Sequence, residues 1–387
     1  MNITYIGAYA TGTIHQMFDT AFLHCCSLIA ERVDCYKHSS TFKFIEDKGS
    51  EYGYIKNVQL HPIYIYQGKK KFQLLMKDIL SAFSTICLYA RSPRENVIIA
   101  NYNNIFAIHI LNALSKLLKK ELWVVCHGEM ELLAEPGKEG LWAKLKRMLL
   151  NNFFLKRKIY KGFHFIVLGD SILKSLERYL SVEVMSHFKS IEHPYYLEED
   201  IIVKDNKLES ERLALGLIGI LSPSKGLNEF IDFVEKLEKR NINCSISIIG
   251  RISTHKFDDF MNAHHIQIAW DYLEREEMER RIRQLDYVLF FYPVNTYQLI
   301  ASGAVFDAIK LNMPVVSLKN KYFEQIFNKM NYPAILCNNV DRMVDAIANR
   351  SGMMEKKLID KSIFSPQNVA KSLKTVIEEQ SLLYHGV

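Results

Sequence analysis

The sequence lacks the segments that would carry a chain into or across a membrane. Its N-terminus, MNITYIGAYATG, has no basic stretch followed by an apolar one, so we predict no signal peptide. No apolar run reaches ~18 residues without a charge, which predicts that there is no transmembrane helix. We therefore expect a cytoplasmic protein and leave open a peripheral association with the inner face of the plasma membrane.

Two common nucleotide-binding motifs are also missing. No GxGxxG follows the first apolar run, and no GxxxxGK[ST] occurs anywhere in the chain. These motifs supply the backbone N–H groups that hold phosphates in dinucleotide-binding and P-loop proteins. Their absence argues against both kinds of site.

Cysteines with the spacing of a metal site are absent as well. The seven cysteines are an odd number, and Cys25 and Cys26 are adjacent rather than separated as in CxxC. This pattern predicts free thiols in a reducing cytosol. Nor is there a carboxylate cluster that would indicate a metal ion, so we expect no metal and no cofactor.

The chain has no strong excess of charge of one sign. Its formal net charge of +6 suits an anionic ligand or an anionic membrane surface. The same charge falls short of the basic signature of a nucleic-acid-binding protein, so we expect no nucleic acid partner. With 49% hydrophobic and 24% charged residues, the composition is that of an ordinary globular protein.

The length and the alternation of apolar patterns predict two α/β domains. A chain of 387 residues exceeds the size at which one hydrophobic core keeps growing. Strand-like runs alternate with helical ones, which indicates parallel sheets with crossover helices. We predict Rossmann-like domains at 1–196 and 213–365, an acidic, polar linker at 197–212 and a C-terminal helix at 366–387. Ligands of such sheets usually bind at the carboxyl ends of the strands, here in a cleft between the domains.

The stretch ASGAVFDAIKLNMPVVSLKN, residues 301–320, predicts a helix that begins on small residues. Ser302 is a good N-cap, and the bare Gly303 would let an anion approach the N–H groups of the helix start. Asp307 lies four residues after Gly303 on the same helical face, where it could accept hydrogen bonds from sugar hydroxyls. An ordinary helix start in an α/β protein would look the same.

Several motifs resemble those of GT-B glycosyltransferases, above all the retaining family four that builds bacterial surface polysaccharides. GLIGILSPSKGLNEFIDFVEKL, SISIIG, LDYVLFFY and SGAVFDAIKLNMPVV resemble the donor-binding domain of that family. CHGEME, FIVLGDSILKSL and IEHPYY resemble its first domain in the same order. The resemblance implies a GT-B architecture of two doubly wound, Rossmann-like domains that face a cleft, with the C-terminal helix returning to the first domain.

The resemblance implies roles for five residues of the second domain. Lys225 matches the lysine that binds the donor diphosphate. Ser302, Gly303 and Ala304 match the loop whose N–H groups hold the distal phosphate. Asp307 matches the acid that accepts the ribose hydroxyls, although the family usually has glutamate there.

The resemblance also implies roles in the first domain. His127 matches a histidine beside the transferred sugar and the leaving oxygen, where it could donate a hydrogen bond to developing negative charge. Glu129 could bind or deprotonate the acceptor, and a solvated loop carboxylate fits equally well. Gly7 and Gly12, in the turn GAYATGT, match a loop near the donor phosphates, although an ordinary strand-to-helix turn would look similar.

One further match and two departures concern donor recognition. Tyr272 lies where the family contacts the base, and it could equally be a packing aromatic. Ile220 stands where the family often has an arginine, and Leu299 stands where it has a glutamate that binds the transferred sugar. Leucine cannot accept a hydrogen bond, so the neighbouring Gln298 or Asn295 would have to replace that contact.

The segment 141–162, LWAKLKRMLLNNFFLKRKIYKG, mixes apolar and basic residues. A basic amphipathic helix can lie on an anionic membrane, where a lipid-linked acceptor would be found. A solvated helix that packs its apolar face inward is the alternative. Its basic residues are Lys144, Lys146, Arg147, Lys156, Arg157, Lys158 and Lys161.

These observations predict a hexosyltransferase-type glycosyltransferase. It would move a sugar from a nucleotide-diphosphate sugar to a hydroxyl of a glycan or lipid-linked acceptor, with retention of configuration, in bacterial polysaccharide synthesis. No metal is required, because Lys225 and a helix dipole can stabilise the leaving diphosphate. The alternative is a non-catalytic GT-B subunit that binds an acceptor or a partner transferase. A GT-B epimerase would need acid–base carboxylates that the sequence does not place.

Overall fold

The structure is a computed structural model that describes residues 1–13, 15–68, 70–134, 140–197, 212–269, 273–350 and 359–385. The chain divides into two compact units. Unit 1 comprises Met1–Tyr196, Leu299–Ala301 and Phe364–Val387, and unit 2 comprises Leu197–Gln298 and Ser302–Ile363. Nearly all of the predicted linker 197–212 lies outside the described residues.

The strands of unit 1 are β1 (Asn2–Gly7), β2 (Arg32–Lys37), β3 (Val58–Pro62), β4 (Val97–Ala100), β5 (Leu122–Val125), β6 (Phe163–Leu168) and β7 (Phe188–Ile191). Among the described residues they form one parallel sheet in the order β3-β2-β1-β4-β5-β6-β7. Every residue of β5 and β6 is buried. A parallel strand with helices on both faces needs such a continuous apolar run, which is why LWVV and FHFIVL do not alternate with polar residues.

Helices connect these strands and cover the sheet. They are α1 (Gln16–Ile29), α2 (Phe42–Glu51), α3 (Lys71–Arg91), α4 (Ile108–Leu118), α5 (Leu141–Lys156), α6 (Asp170–Leu176) and α7 (Val182–Met185). Parallel neighbours require such crossover connections, because a tight hairpin can join only antiparallel strands.

Unit 2 repeats this design. Its strands are β8 (Leu213–Leu221), β9 (Cys244–Ile252), β10 (Gln267–Ile268), β11 (Tyr287–Phe290), β12 (Val315–Leu318) and β13 (Ile335–Cys337). Within the part that the structure describes, they form a parallel sheet in the order β10-β9-β8-β11-β12-β13. Its helices are α8 (Leu227–Lys239), α9 (Asp258–Ala263), α10 (Arg275–Ile282), α11 (Gly303–Lys310), α12 (Lys321–Met330) and α13 (Val340–Ala348).

The last helix, α14 (Pro366–His385), belongs to unit 1, where it packs on α1. Its Val369, Leu373 and Ile377 recur at helical spacing, and they are buried in the same core as Phe18 of α1. The predicted α/β architecture of two doubly wound domains with a returning C-terminal helix is therefore confirmed.

In each sheet the chain reverses its direction of winding beside the first strand. β1 lies between β2 and β4, and β8 lies between β9 and β11. Because the loops at the carboxyl ends of the flanking strands diverge at such a point, open α/β sheets bind ligands there. The residues that follow β1, β4, β8 and β11 are therefore the first place to look for a site.

Candidate functional site

Helix α11 follows the loop after β11, and its first turn is open. Ser302 is the N-cap residue, but its side chain makes no capping hydrogen bond. Its Oγ lies 3.2 Å from the hydroxyl of Tyr292 instead. A Cβ placed on Gly303 meets no heavy atom within 4 Å among the described residues, and the Cβ of Ala304 lies 3.8 Å from where a Cβ would stand on Gly219. Small groups thus surround N–H groups that Ser302 does not cap, an arrangement suited to an anion.

Lys225 lies at the carboxyl end of β8, close to the same tyrosine. Its Nζ is 5.5 Å from the ring centroid of Tyr292 and 5.4 Å from that of Tyr297. Burial lowers the pKa of Lys225, but the two tyrosines raise it more, so the pKa lies above its usual value and the side chain stays charged. Neither tyrosine was predicted from the sequence, although Tyr292 closely follows the apolar run of β11. Lys225 and Ser302 therefore both lie next to Tyr292. The Lys225 ammonium is near its ring, and the Ser302 hydroxyl is beside its hydroxyl.

The turn that carries Lys225 depends on a glycine. Gly226 has a φ of +84°, in the left-handed region that glycine favours. A Cβ at this position would lie 2.0 Å from the carbonyl oxygen of Phe291, which directly follows β11. No side-chain atom fits so close to a backbone oxygen, so Gly226 allows the turn after β8 to pack on the end of β11.

Asp307 takes part in an ion-pair cluster inside unit 2. Its Oδ1 lies 2.6 Å from Nη1 of Arg275. Arg275 also contacts Glu279 at 2.7 Å, and Lys310 reaches the same Glu279 oxygen at 2.9 Å. The Asp307 side chain is 12% exposed. An ion pair does not prevent a carboxylate from accepting a sugar hydroxyl, because its two oxygens offer about four lone-pair sites.

The residues predicted to lie near the donor sugar and phosphates differ in their burial and in their hydrogen bonds. The Gln298 amide donates to the backbone carbonyl of Asn295 at 3.2 Å, so its N–H is used within its own loop. The Leu299 side chain is buried, whereas the Ile220 side chain is 40% exposed at the end of β8. Tyr272 lies outside the described residues. A donor bound at this site would therefore meet neither a carboxylate at position 299 nor a cation at position 220.

The packing of a buried lysine side chain accounts for the glycine at position 7. A Cβ at Gly7 would lie 2.7 Å from Cγ of Lys37, whose side chain runs across the end of β1. The Lys37 ammonium is wholly buried and pairs with Asp19, which also accepts a hydrogen bond from the Asn101 amide. A buried cation needs such a partner. Packing of Lys37 accounts for this glycine, and its contact with donor phosphates stays a prediction.

Gly12 serves as a turn residue. Its φ of +58° lies in the left-handed region, and a Cβ there would meet no heavy atom of the described residues within 4 Å. Its N–H donates to Oγ of Ser40 at 3.0 Å. An amide already used in this way is not free for a phosphate unless Ser40 moves.

His127 follows β5, where its ring nitrogens have distinct roles. Its Nε2 lies 3.1 Å from the backbone oxygen of Asn101. A carbonyl can only accept, so Nε2 carries the proton and Nδ1 presents a lone pair. Burial lowers the pKa of His127 well below its usual value, and the His15 ring, 4.8 Å away, lowers it further. The ring is thus neutral, and Nδ1 takes no partner among the described residues.

This geometry changes the predicted chemistry of His127. From the resemblance, the ring was expected to donate a hydrogen bond to a leaving oxygen. In the structure the donor nitrogen is occupied by Asn101, and the accessible chemistry at Nδ1 is that of an acceptor. A neutral imidazole in this tautomer fits a sugar or acceptor hydroxyl better than a phosphate oxygen.

Glu129 holds the loop that carries His127. Both of its carboxylate oxygens lie 3.0 Å from the backbone nitrogen of His127, and its side chain is buried. Burial raises the pKa of Glu129 to about 7, against the lowering effect of that hydrogen bond. The alternative of a solvated loop carboxylate is therefore wrong. A direct role towards an acceptor stays a prediction.

Glu131 is a residue that sequence reasoning missed. Its buried carboxylate accepts the N–H of Leu299 at 2.8 Å, within unit 1. The neighbouring Ile300 reaches within 3.7 Å of the Cβ position of Gly128. These contacts anchor the three residues that directly precede Ser302. The motif CHGEMEL contains this second acid, but the sequence could not indicate its partner, because Leu299 is 168 residues away.

No family model matches the chain, and no curated protein sequence gives a significant match. Solved structures nevertheless resemble it over nearly its whole length. The lipopolysaccharide outer core galactosyltransferase WaaB, in its apo form, has a TM-score of 0.56 and 12% identity, covering 97% of this chain and 100% of its own. A point mutant of S. aureus TarM in complex with fondaparinux, α-GlcNAc-glycerol and UDP has a TM-score of 0.55 and 11% identity, covering 99% of both chains.

A third similar structure is a UDP-forming trehalose-phosphate synthase from Burkholderia xenovorans, in complex with glucose-6-phosphate. Its TM-score is 0.58 at 11% identity, and the match covers 98% of this chain and 99% of that one. At such low identity these matches establish the fold. The chain has the GT-B fold, and the resemblance seen in the sequence motifs is confirmed at that level.

Proposed function

We propose that this protein is a glycosyltransferase that uses a nucleotide-diphosphate sugar as donor. The observation that carries the proposal is the anion site of unit 2, where Lys225 and the open start of α11 both approach Tyr292. A fixed ammonium and the N–H groups of a helix start together suit a diphosphate. The site lies at the carboxyl ends of β8 and β11, where ligands of such sheets bind.

The reaction that fits this site is transfer of the sugar to a hydroxyl. The bond between the anomeric carbon and the diphosphate oxygen breaks, and the acceptor oxygen forms a new bond to that carbon. With retention of configuration, the acceptor proton passes to the departing phosphate oxygen on the same face. Lys225 and the α11 amides stabilise the charge that develops there, so the proposal requires no metal ion.

The similar structures favour a surface glycan as the acceptor class. They include a lipopolysaccharide galactosyltransferase and TarM bound to UDP and α-GlcNAc-glycerol. By analogy with them, we propose a uridine nucleotide and a glycan or lipid-linked acceptor in a bacterial envelope polysaccharide. The alternative, a non-catalytic GT-B subunit, is favoured by Leu299 and Ile220, which remove a carboxylate and a cation from the expected donor site.

The first test is nucleotide binding by the anion site. UDP, GDP, ADP and CMP are compared by thermal shift, and we expect a diphosphate to raise the melting temperature of the unaltered protein. Gly303→Val should weaken that binding at least about tenfold, because its side chain would stand over the N–H groups that receive the phosphate. The fold should survive, because a Cβ at Gly303 meets open space among the described residues.

Two results would contradict this prediction. No stabilisation of the unaltered protein by any nucleotide would remove the transferase proposal and favour the non-catalytic subunit. Normal affinity in a folded Gly303→Val protein would show that the phosphate lies elsewhere. Circular dichroism and the melting temperature without ligand establish whether the variant is folded.

Asp307→Ala should weaken binding of the nucleotide and of the intact donor alike. The carboxylate would accept hydroxyl hydrogen bonds that exist before the reaction begins, so we expect a loss of about 1.5–3 kcal/mol by isothermal titration. Glu279→Ala is the matched control, because it disturbs the cluster around Arg275 and leaves Asp307 in place. Equal losses in the two variants would mean that Asp307 acts only through the ion-pair cluster.

We further infer that the segment 141–162 brings the protein to anionic membranes. Helix α5 buries Leu150, Phe153 and Phe154, as the inward-packing alternative requires. It also exposes Leu141 and Met148 on its outer side. Apolar groups on both sides support peripheral association, the form in which a lipid-linked acceptor would be met.

A further inference from the structure

A buried ion pair lies at the carboxyl ends of the strands of unit 1, and the proposed reaction does not use it. Lys37, the last residue of β2, is 0% exposed, and Asp19 of α1 is 2% exposed. Taking two charges out of water is costly, and apolar residues of similar volume often stabilise a protein as well as such a pair does. Stability alone is therefore a weak reason for burying these two charges.

The Asp19 carboxylate uses both of its oxygens. Its Oδ2 takes the Lys37 ammonium, and its Oδ1 accepts a hydrogen bond from the side-chain amide of Asn101. The hydroxyl of Tyr5 in β1 lies 3.5 Å from the same Oδ1. Burial, together with the Asp19 charge, raises the pKa of Tyr5 well above its usual value, so this hydroxyl keeps its proton and donates. One carboxylate thus connects α1, β1, β2 and the residue that follows β4.

Asn101 is held at each of its hydrogen-bonding ends. Its backbone N–H donates to the carbonyl oxygen of Ile6 in β1 at 2.9 Å, and its own carbonyl accepts from Nε2 of His127 at 3.1 Å. Its side-chain oxygen takes no partner among the described residues, so the contact with Asp19 is what fixes the side chain. These contacts set the direction of the Asn101 carbonyl, and that carbonyl decides which His127 nitrogen carries the proton.

The helix that carries Asp19 also supports the His127 ring. Phe18, the preceding residue of α1, meets that ring edge-on, with the centroids 5.0 Å apart and the planes at 89°. Burial is the main cause of the lowered pKa of His127, and the nearby Lys37 charge adds to it. The first turns of α1 therefore act on the plane of the ring, on its charge and, through Asn101, on its proton.

We propose that Asp19 and Lys37 are positioning residues that keep the proton of His127 on Nε2, so that Nδ1 accepts a hydroxyl during sugar transfer. The role of Nδ1 rests on the proposed function. A carboxylate holds the Asn101 amide more strongly than a neutral acceptor would, and Lys37 neutralises its charge. The proposal also explains Gly7, because a Cβ there would lie 2.7 Å from Cγ and 3.1 Å from Nζ of Lys37.

The first experiment compares two double variants of the full chain, each labelled with ¹⁵N-histidine. They are Asp19→Asn with Lys37→Met and Asp19→Leu with Lys37→Met, and neither leaves an unpaired buried charge. The asparagine oxygen can still accept from Asn101, whereas leucine of similar shape cannot. We expect the first variant to keep His127 in the Nε2–H form of the unaltered protein. The second should give ring ¹⁵N shifts averaged between the two tautomers.

The second experiment removes the Asn101 side chain and leaves the ion pair in place. Asn101→Ala should also give averaged ¹⁵N shifts at His127 and should lower turnover at least about tenfold, with nucleotide affinity unchanged. The matched control is Asn96→Ala at the other end of β4, which loses a buried hydrogen bond to Thr4 of 3.0 Å. It should leave both the His127 shifts and turnover unchanged. The His127 signals are identified by their absence from the spectrum of His127→Ala.

These measurements separate the positioning proposal from the transferase proposal. If His127 keeps a single Nε2–H form in a folded Asn101→Ala protein, the positioning proposal is overturned, whatever the turnover. If the shifts change as expected but the unaltered protein transfers no sugar, the transferase proposal fails and the positioning of the ring stands. Circular dichroism establishes that each variant is folded, and Asn101→Ala decides the question if a double variant is not.

Discussion

Replacing His127 with alanine should lower turnover by about 100-fold and leave nucleotide affinity unchanged. The ring would serve a hydroxyl of the sugar or acceptor during the chemical step, whereas in the proposed function Lys225 and the start of α11 would hold the nucleotide. Isothermal titration with the nucleotide and a turnover assay with donor and acceptor measure the two effects. Normal turnover would mean that His127 is structural.

The two ring nitrogens of His127 can be tested separately. The amide of His127→Asn places a polar atom near the position of Nδ1, whereas the longer side chain of His127→Gln can reach the carbonyl of Asn101 in place of Nε2. If Nδ1 is the working atom, the asparagine variant should keep more turnover than the glutamine variant. The reverse order would mean that the contact with Asn101 is what matters. Because the pKa of His127 is strongly lowered, we expect no histidine ionisation near pH 6.5 in the pH profile.

Gly226→Ala should lower the free energy of unfolding by about 2–5 kcal/mol. About 1–2 kcal/mol comes from the left-handed backbone and a further 1–3 kcal/mol from overpacking against the Phe291 carbonyl. Gly303→Ala is the matched control, because its Cβ meets open space, and it should change stability by about 0.5 kcal/mol or less. Urea unfolding followed by circular dichroism compares the two. A Gly226→Ala protein as stable as the control would show that the turn after β8 can move away from β11.

The fold could be predicted from the sequence because strands and helices are indicated by patterns of neighbouring residues. LWVV is apolar throughout and FHFIVL is apolar except for its buried His164, as expected of parallel strands covered on both faces, and both are buried strands in the structure. A C-terminal helix was predicted at 366–387, and in the structure its Val369, Leu373 and Ile377 are buried on one side. Its return to the first domain was implied only by the resemblance to the GT-B family, and its partner there, α1, is known from the structure alone.

The details of the site depend on contacts that local patterns do not contain. Serine is a favoured N-cap residue, but the Ser302 hydroxyl contacts Tyr292 in the preceding loop and does not cap α11. Gly7 fits a phosphate-binding turn equally well, and only the packed structure reveals that Lys37 fills the space beside it. In each case the residue type was recognised in the sequence, but its contact with a residue from another segment of the chain is known only from the structure.

The contact of α14 with α1 has a consequence for synthesis on the ribosome. The core of unit 1 includes Val369, Leu373 and Ile377 from the far end of the chain, so the part of α1 on which α14 packs stays uncovered while unit 2 is being translated. Unit 2 draws on no segment that follows Ile363, so it can complete its fold before unit 1 does. Nascent chains that stop before α14 should therefore expose the part of α1 that α14 covers, around Cys25, and aggregate unless a chaperone binds them.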